Sequence, residues 1–254
     1  MEAPDRLDDL LAPLRADPGS TGIFTDFDGT LAPIVDDPAA ARALDGAVDV
    51  LAELARRYRR VGVISGRPGS FLATQLGGRG LFVSGLYGLE TVDDDGVHAT
   101  AEAEEWRHAV EQAVARADAE LAGVGVERKG LSVTLHYRSD PSRREEVEAW
   151  AGAEAERSGL VAHPARMSVE LRPPVQSDKG TVLAGAAEGL RAACFLGDDR
   201  GDLEAFDALD RMAEGGAAVV RVAVTTTEAP PELRERADVV VDGPEGALDV
   251  LRRL

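Results

Sequence analysis

Gly22-Ile23-Phe24-Thr25-Asp26-Phe27-Asp28-Gly29-Thr30-Leu31 carries the first decision about the fold. Residues 22–25 read as a buried strand, and that strand ends in acid, apolar, acid, glycine and hydroxyl. Such a strand delivers its carboxylates to the carboxyl edge of a sheet, where open α/β folds bind ligands. Because side chains alternate along a strand, Asp26 and Asp28 share a side only if extended geometry continues past Asp26. Two such charges about 4 Å apart repel by roughly 4 kcal/mol at an effective dielectric of 20, which calls for a cation or a shared proton. A solvated acidic turn, with Gly29 supplying positive φ, has the same short signature. The rest of the chain decides between the two.

Outward from this stretch, short apolar runs recur at 60–64, 81–83, 193–196, 219–224 and 238–241, and they read as buried parallel strands. Amphipathic stretches at 48–58, 181–190 and 203–212 lie between several of them. That alternation predicts an α/β fold, a doubly wound parallel sheet. From about 101 to 172 the order becomes helix, strand, strand, helix, strand, strand, which predicts an inserted α+β cap. The expected domains are a core of 1–100 and 173–254 and a cap of 101–172. Pro173-Pro174 marks the return to the core, since proline is excluded from central strands and pushes the preceding residue out of helix.

In the cap, Trp106, Val110, Ala113, Val114, Ala117 and Leu121 form one helical stripe, and Val147, Trp150 and Ala151 form another. Leu131, Val133 and Leu135 alternate with Ser132, Thr134 and His136, and Met167, Val169 and Leu171 alternate with Arg166, Ser168, Glu170 and Arg172. One sheet face therefore packs on helices. The other carries Lys129, His136, Arg138, Glu170 and Arg172, which suits either a hydroxyl-rich ligand or a plainly solvated face.

Composition narrows the function. In 254 residues, 44% hydrophobic content is ample for a core, and a formal net charge of -18 argues against nucleic acid or an anionic membrane as partner. No apolar run approaches the ~18 residues of a membrane span. Residues 1–20 are acidic and broken by Pro4, Pro13 and Pro18, unlike a secretory signal. The single cysteine, Cys194, sits in an apolar run and reads as a buried, inert thiol. The expectation is a cytoplasmic monomer acting on a small molecule. An anionic substrate must then meet a local cluster of positive charge. Of 28 basic residues only Lys129 and Lys179 are lysines, and a lysine's compact charge is not interchangeable with arginine at a tight site.

Three more polar clusters fall at expected strand ends or helix starts. Ser65-Gly66-Arg67 follows the 60–64 strand and offers a hydroxyl and backbone N–H groups to a phosphoryl oxygen. Ser177-Asp178-Lys179-Gly180 opens a helix, with Ser177 or Asp178 as its cap. Asp198-Asp199-Arg200-Gly201-Asp202 adds a second acidic cluster to the edge where Asp26 is expected. Clustered aspartate oxygens favour Mg²⁺, while one cysteine and four scattered histidines make zinc a poor fit.

Taken together, 26–31, the Ser65 turn, Lys179 and 198–202 stand in the order and spacing of the four motifs of haloacid-dehalogenase-like phosphatases, and the chain resembles that superfamily. Within it, the strings at 26–34, 64–67, 85–90 and 169–173, with Lys129 and His136-Tyr137-Arg138, resemble the trehalose-6-phosphate phosphatases over roughly 23–206. That resemblance implies Asp26 as nucleophile and Asp28 as acid and base. It implies Mg²⁺ held by Asp26, the Asp28 main-chain carbonyl and Asp198, with Asp199 and Asp202 in or near the second layer. Ser65, Gly66, Arg67 and Lys179 would bind the phosphoryl group. Lys129, His136, Arg138, Arg166 and Glu170 would reach the substrate from the cap, with Glu170 on sugar hydroxyls. The sequence departs from the family pattern at Ser177, where an aromatic residue is common, and at Gly201 and Leu203, where threonine and an acid are frequent. These departures leave related substrates open, namely sucrose 6-phosphate, mannosyl-3-phosphoglycerate or a pseudo-disaccharide phosphate. A silent sugar-phosphate sensor is the reading from a different class, and a nucleophile paired with an acid argues against it.

Overall fold

The computed structural model describes residues 6–35, 37–77, 79–165, 167–226 and 229–254. The chain divides into two units, one formed by the residues up to Val97 together with Ser177–Leu254, the other by His98–Gln176.

In chain order the first unit contains α1 (Arg6–Ala16), β1 (Thr21–Thr25), α2 (Ala47–Arg57), β2 (Arg60–Ile64), α3 (Gly69–Leu76), β3 (Phe82–Gly85) and β4 (Glu90–Asp93), and β5 (Gly96–Ala99) runs across the boundary. The second unit supplies α4 (Ala101–Glu104), α5 (Arg107–Glu120), β6 (Gly125–Arg128), β7 (Val133–His136), α6 (Arg144–Ser158), β8 (Val161–Ala165) and β9 (Ser168–Arg172). The chain then returns through α7 (Lys179–Ala186), β10 (Ala192–Gly197), α8 (Leu203–Glu214), β11 (Ala218–Thr225), α9 (Pro231–Arg236), β12 (Val239–Asp242) and α10 (Gly243–Arg252).

The first sheet runs β12-β11-β10-β1-β2-β3-β4-β5. Neighbours from β12 to β3 are parallel, and β4 is antiparallel to β3. Its central strands β1 and β10 are buried along their whole length because both faces are covered. Ile23, Cys194 and Leu196 point to one face, packing with Leu11 and Leu14 of α1, Leu51 and Leu54 of α2, Leu72 of α3 and Leu251 of α10. Phe24, Ala193 and Phe195 point to the other, against Leu183 of α7, Phe206 and Leu209 of α8 and Leu233 of α9. This is the doubly wound arrangement the alternation predicts. Burial pushes the Cys194 thiol up to about 12, so it stays protonated and unreactive.

Among the elements that the sequence reading does not name are α1 and the β4–β5 hairpin. α1 carries Pro13 inside it and is acidic at its start, yet Leu11 and Leu14 anchor it to the sheet. The β4–β5 hairpin turns on Asp93, whose side chain accepts from the Asp95 amide at 2.9 Å, and on Gly96 at φ +129°. Charged residues at both ends of β4 mask its strand pattern in the sequence.

The second unit is the expected helix, strand, strand, helix, strand, strand, with an antiparallel sheet in the order β6-β7-β9-β8. Val110, Ala113 and Ala117 of α5 and Val147 and Ala151 of α6 pack on Val133, Leu135, Val169 and Leu171. Trp106 and Trp150 pack at the margin of this core.

Candidate active site

The site grows from the carboxyl ends of three adjacent strands. β1 pairs with β10 in parallel, with Thr25 opposite Leu196, so the residues just after each strand lie side by side. The Asp26 amide donates to the Leu196 carbonyl at 2.9 Å, which carries strand geometry one residue past β1. Beyond it the chain folds back, as the Leu31 and Ala32 amides both donate to the Phe27 carbonyl and the Gly29 amide to the Ala32 carbonyl. Gly29 sits at φ +72°, and a Cβ there would lie 2.1 Å from Asp198 Oδ2. Only glycine allows the two acidic motifs to approach this closely.

Lys179 is the buried cation at the centre of the acids. It opens α7, which is capped by Asp178 through a reciprocal box with Thr181, while Ser177 donates its hydroxyl to the Tyr87 carbonyl at 2.7 Å. Lys179 Nζ lies 2.6 Å from Asp202, 3.0 Å from Asp26 and 3.5 Å from Asp199. Burial works against its charge, but Asp199, Asp202 and Asp26 outweigh it and hold the ammonium well above the usual lysine range. Asp202 is the acid closest to the ammonium, and its other oxygen accepts from the Asp198 and Asp199 amides at 2.8 and 2.9 Å, while burial pushes its carboxyl well above the usual range. Asp202 therefore pins the loop after β10, and through it Asp198.

Asp26, Asp198 and Asp202 are all buried and offer carboxylate oxygens within 4.8 Å of one another. Burial, with repulsion from the neighbouring aspartates, pushes Asp26 and Asp198 up to about 7. Asp198 is further held by the Thr226 hydroxyl at 2.9 Å and the Thr30 hydroxyl at 3.5 Å. Two carboxyls pushed up by burial, all oxygen donors and one lysine for several acids, fit a hard divalent cation.

Ser65 follows β2, and its hydroxyl accepts from the Arg67 amide at 3.2 Å. The first amide of α3, that of Gly69, donates to Glu90 Oε2 at 2.6 Å, so a carboxylate of β4 already occupies this helix start. Gly66 is pressed by the Tyr87 ring, which would meet a Cβ there at 2.4 Å. Tyr87 and its neighbour Leu86 both hold left-handed backbone, at φ +57° and +48°. Asp28 lies outside the buried cluster and is paired with Arg67.

In the second unit, Glu170 is the hub of the polar sheet face. It is buried and accepts from Ser132 at 2.7 Å, from Lys129 at 3.2 Å and from Arg172. Burial would raise its carboxyl, but Lys129 and Arg172 hold it below the usual range. His136 shares a hydrogen bond with Glu127 at 2.8 Å, and Glu127 is 3.9 Å from Lys129. Arg138 is exposed in the turn after β7, and Arg166 lies outside the described residues. Ser132, Thr134 and Ser168 are buried on this face, so it is no open solvated surface. Sequence reasoning missed Glu127, Ser132, Thr226 and Glu90. Thr226 carried a usable signal, standing just past the end of the strand next to β10.

The family profile described as Trehalose-phosphatase matches residues 24–239. A trehalose-phosphate phosphatase of Mycobacterium marinum is 38% identical over 220 residues, covering 82% of this chain and 56% of that protein. Its counterpart in Mycobacterium leprae is 36% identical over 242 residues, covering 86% and 54%. The chain spans about half the length of the curated relatives it matches. A solved Aspergillus fumigatus trehalose-6-phosphate phosphatase is similar at a TM-score of 0.67 and 25% identity, covering 98% of this chain and 97% of that one.

Proposed function

The chain belongs to the trehalose-phosphatase family, and from that premise we propose that it is a Mg²⁺-dependent phosphatase releasing trehalose and phosphate from trehalose 6-phosphate. The observation that carries this reading is the buried set of Asp26, Asp198, Asp202 and Lys179 at the ends of β1 and β10. A buried carboxylate held 3.0 Å from an ammonium is a nucleophile beside the group that can accept charge from its target.

In the first half-reaction a carboxylate oxygen of Asp26 attacks phosphorus, and the bond from phosphorus to the sugar oxygen breaks. Asp28 gives its proton to that departing oxygen, leaving an aspartyl-phosphate on Asp26. In the second, Asp28 takes a proton from water, which attacks phosphorus and frees the Asp26 carboxylate and inorganic phosphate. One residue serves as acid and then base, so each turnover restores the starting protonation. Ser65, Gly66 and Lys179 hold the phosphoryl oxygens as charge spreads over them. Asp26, the Asp28 main-chain carbonyl and Asp198 would hold Mg²⁺, which supplies charge neutralisation at the phosphoryl group when bound. Asp202 orients Lys179 and the loop carrying Asp198.

Sugar recognition belongs in this reading to the Glu170 cluster. A carboxylate between two cations and a hydroxyl has the acceptors and donors that sugar hydroxyls need. The test is phosphate release from trehalose 6-phosphate, sucrose 6-phosphate, mannosyl-3-phosphoglycerate and glucose 6-phosphate, with and without Mg²⁺. Trehalose 6-phosphate is expected to be turned over fastest, and only with the metal. Equal rates on glucose 6-phosphate would sink the disaccharide assignment.

A further inference from the structure

Arg67 does something other than what its motif suggests. Its Nε and Nη2 donate to Asp28 Oδ2 and Oδ1 at 2.7 and 2.6 Å, a two-point fork on one carboxylate. Its Nη1 donates to the Pro38 carbonyl at 2.7 Å. The guanidinium lies 4.6 Å from the centroid of the Phe71 ring, and Phe71 meets the Phe27 ring edge-on at 5.5 Å. Phe27 is fully buried between the two aspartates. The contacts therefore close a circuit from Asp28 through Arg67 and Phe71 to Phe27 and back along the chain. The Arg67 backbone is fixed as well, its amide on the Ser65 hydroxyl and its carbonyl accepting from the Leu86 amide at 2.9 Å.

We infer that Arg67 is a positioning residue for Asp28 and not a ligand of the phosphoryl group, an inference that rests on the phosphatase reading above. The Asp28 side chain is about a third exposed, at 36%, and no core packing fixes its torsions. Proton transfer needs the carboxyl in one place, and a displacement of about 1 Å costs on the order of 100-fold in rate. A planar fork on both oxygens, anchored by a carbonyl and an aromatic face, sets the position and plane of the ionised carboxylate, the form that takes the proton from water in the second half-reaction. These hydrogen bonds take three of the five guanidinium N–H groups, one on each nitrogen, and hold the guanidinium plane against Asp28. The arginine of the Ser-Gly-Arg turn therefore acts through Asp28, and the phosphoryl group is left to Ser65 and Gly66 of the same turn.

The experiment combines Arg67→Ala, Arg67→Lys and Phe71→Leu with Asp28→Asn. Turnover of 4-nitrophenyl phosphate and trehalose 6-phosphate with Mg²⁺ is read together with inorganic phosphate binding by calorimetry. Arg67→Ala is expected to lower kcat by about 10- to 100-fold on both substrates, the scale of losing a group that orients a catalytic partner. KM and phosphate affinity should change less than about 3-fold, since the ground-state phosphate contacts remain. Arg67→Lys should recover little, because an ammonium cannot fork, and Phe71→Leu should show the same kcat loss in milder form. In the Asp28→Asn background Arg67→Ala should cost under about 3-fold more, because a residue acting only through Asp28 has nothing left to position. Phosphate affinity falling 10-fold or more in Arg67→Ala, or equal losses with and without Asp28, would make Arg67 a phosphoryl ligand and overturn the inference. So would unchanged kcat below a lowered Tm, which is a purely structural role. A wild-type chain inactive on both substrates would instead refute the phosphatase reading itself, and this inference with it.

Discussion

Stripping divalent cations from the protein and raising the pH should destabilise it, and the size follows from two carboxyls. Asp26 and Asp198 are nearly inaccessible, and burial with neighbouring negative charge pushes both from 3.8 up to about 7. The folded chain therefore holds these protons more tightly than the unfolded chain. Stability is full below about pH 4 and is lost as pH rises towards 7, opposite to the usual salt-bridged aspartate. Between pH 5 and 7.5 one such group crosses about two units of this window, or roughly 3 kcal/mol. For a chain of this size that is a fall in Tm of roughly 6–12 °C. His163 works in the opposite sense, since burial and Arg172 hold its imidazole below the usual range. The decisive comparison is therefore between variants. Thermal melts in EDTA at pH 5 and 7.5 should show the fall in the wild type and a shallower fall in Asp198→Asn. Added Mg²⁺ takes the place of the protons, so its stabilising increment should be larger at pH 7.5 than at pH 5. A flat or rising metal-free profile, an unchanged slope in Asp198→Asn, or equal Mg²⁺ increments at both pH values would refute the reasoning.

Gly29→Ala forces a Cβ to within 2.1 Å of Asp198 Oδ2 at φ +72°, so it should abolish the Mg²⁺ response of the melt and cost about 1–3 kcal/mol in backbone strain. Wild-type Mg²⁺ affinity in that variant, measured by calorimetry, would show that the two acidic loops need not stay this close. Asp26→Asn should abolish turnover yet raise the metal-free Tm at pH 7.5, because it removes a buried charge; substantial residual activity would mean the nucleophile lies elsewhere. Glu170→Ala leaves Lys129 and Arg172 facing each other without their shared anion, and should lower kcat/KM on trehalose 6-phosphate far more than on 4-nitrophenyl phosphate. Matching losses on the two substrates would make Glu170 a purely structural residue.

What the sequence made legible was whatever follows from local rules. The central strands read out because burial on both faces leaves them short and free of charge, and the acids after β1 and β10 stand out against them. The four clusters stand at strand ends and a helix start, so topology alone gathers them at one edge of the sheet. What stayed hidden depends on partners far along the chain. Glu90 reads as an ordinary charged residue until the α3 amide it caps, 21 positions away, is in place. Asp28 and Arg67 are 39 residues apart and pair only because β1 and β2 are neighbours. The polar face of the second sheet was visible as alternation, but its burial was not, since that depends on Lys129, Ser132 and Arg172 converging on one carboxylate.

The use of the two kinds of cation makes chemical sense of the site. Arginine serves almost everywhere in this chain, yet the buried acids are met by a lysine. A guanidinium is a planar fork that commits to one carboxylate, whereas an ammonium is a point charge that three carboxylates can approach from different directions. Lys179 is used in the second way, with oxygens of Asp202, Asp26 and Asp199 at 2.6, 3.0 and 3.5 Å. Arg67 is used in the first way, its fork closed on both oxygens of Asp28. In the proposed mechanism the nucleophile thus shares a many-sided charge that can turn to a phosphoryl group as it arrives, and the acid and base is clamped by a directional one. Exchanging the two cations should damage both aspartates for opposite reasons. A lysine at 67 leaves Asp28 free to rotate, and an arginine at 179 cannot serve three acids in a space where the lysine is already 98% buried.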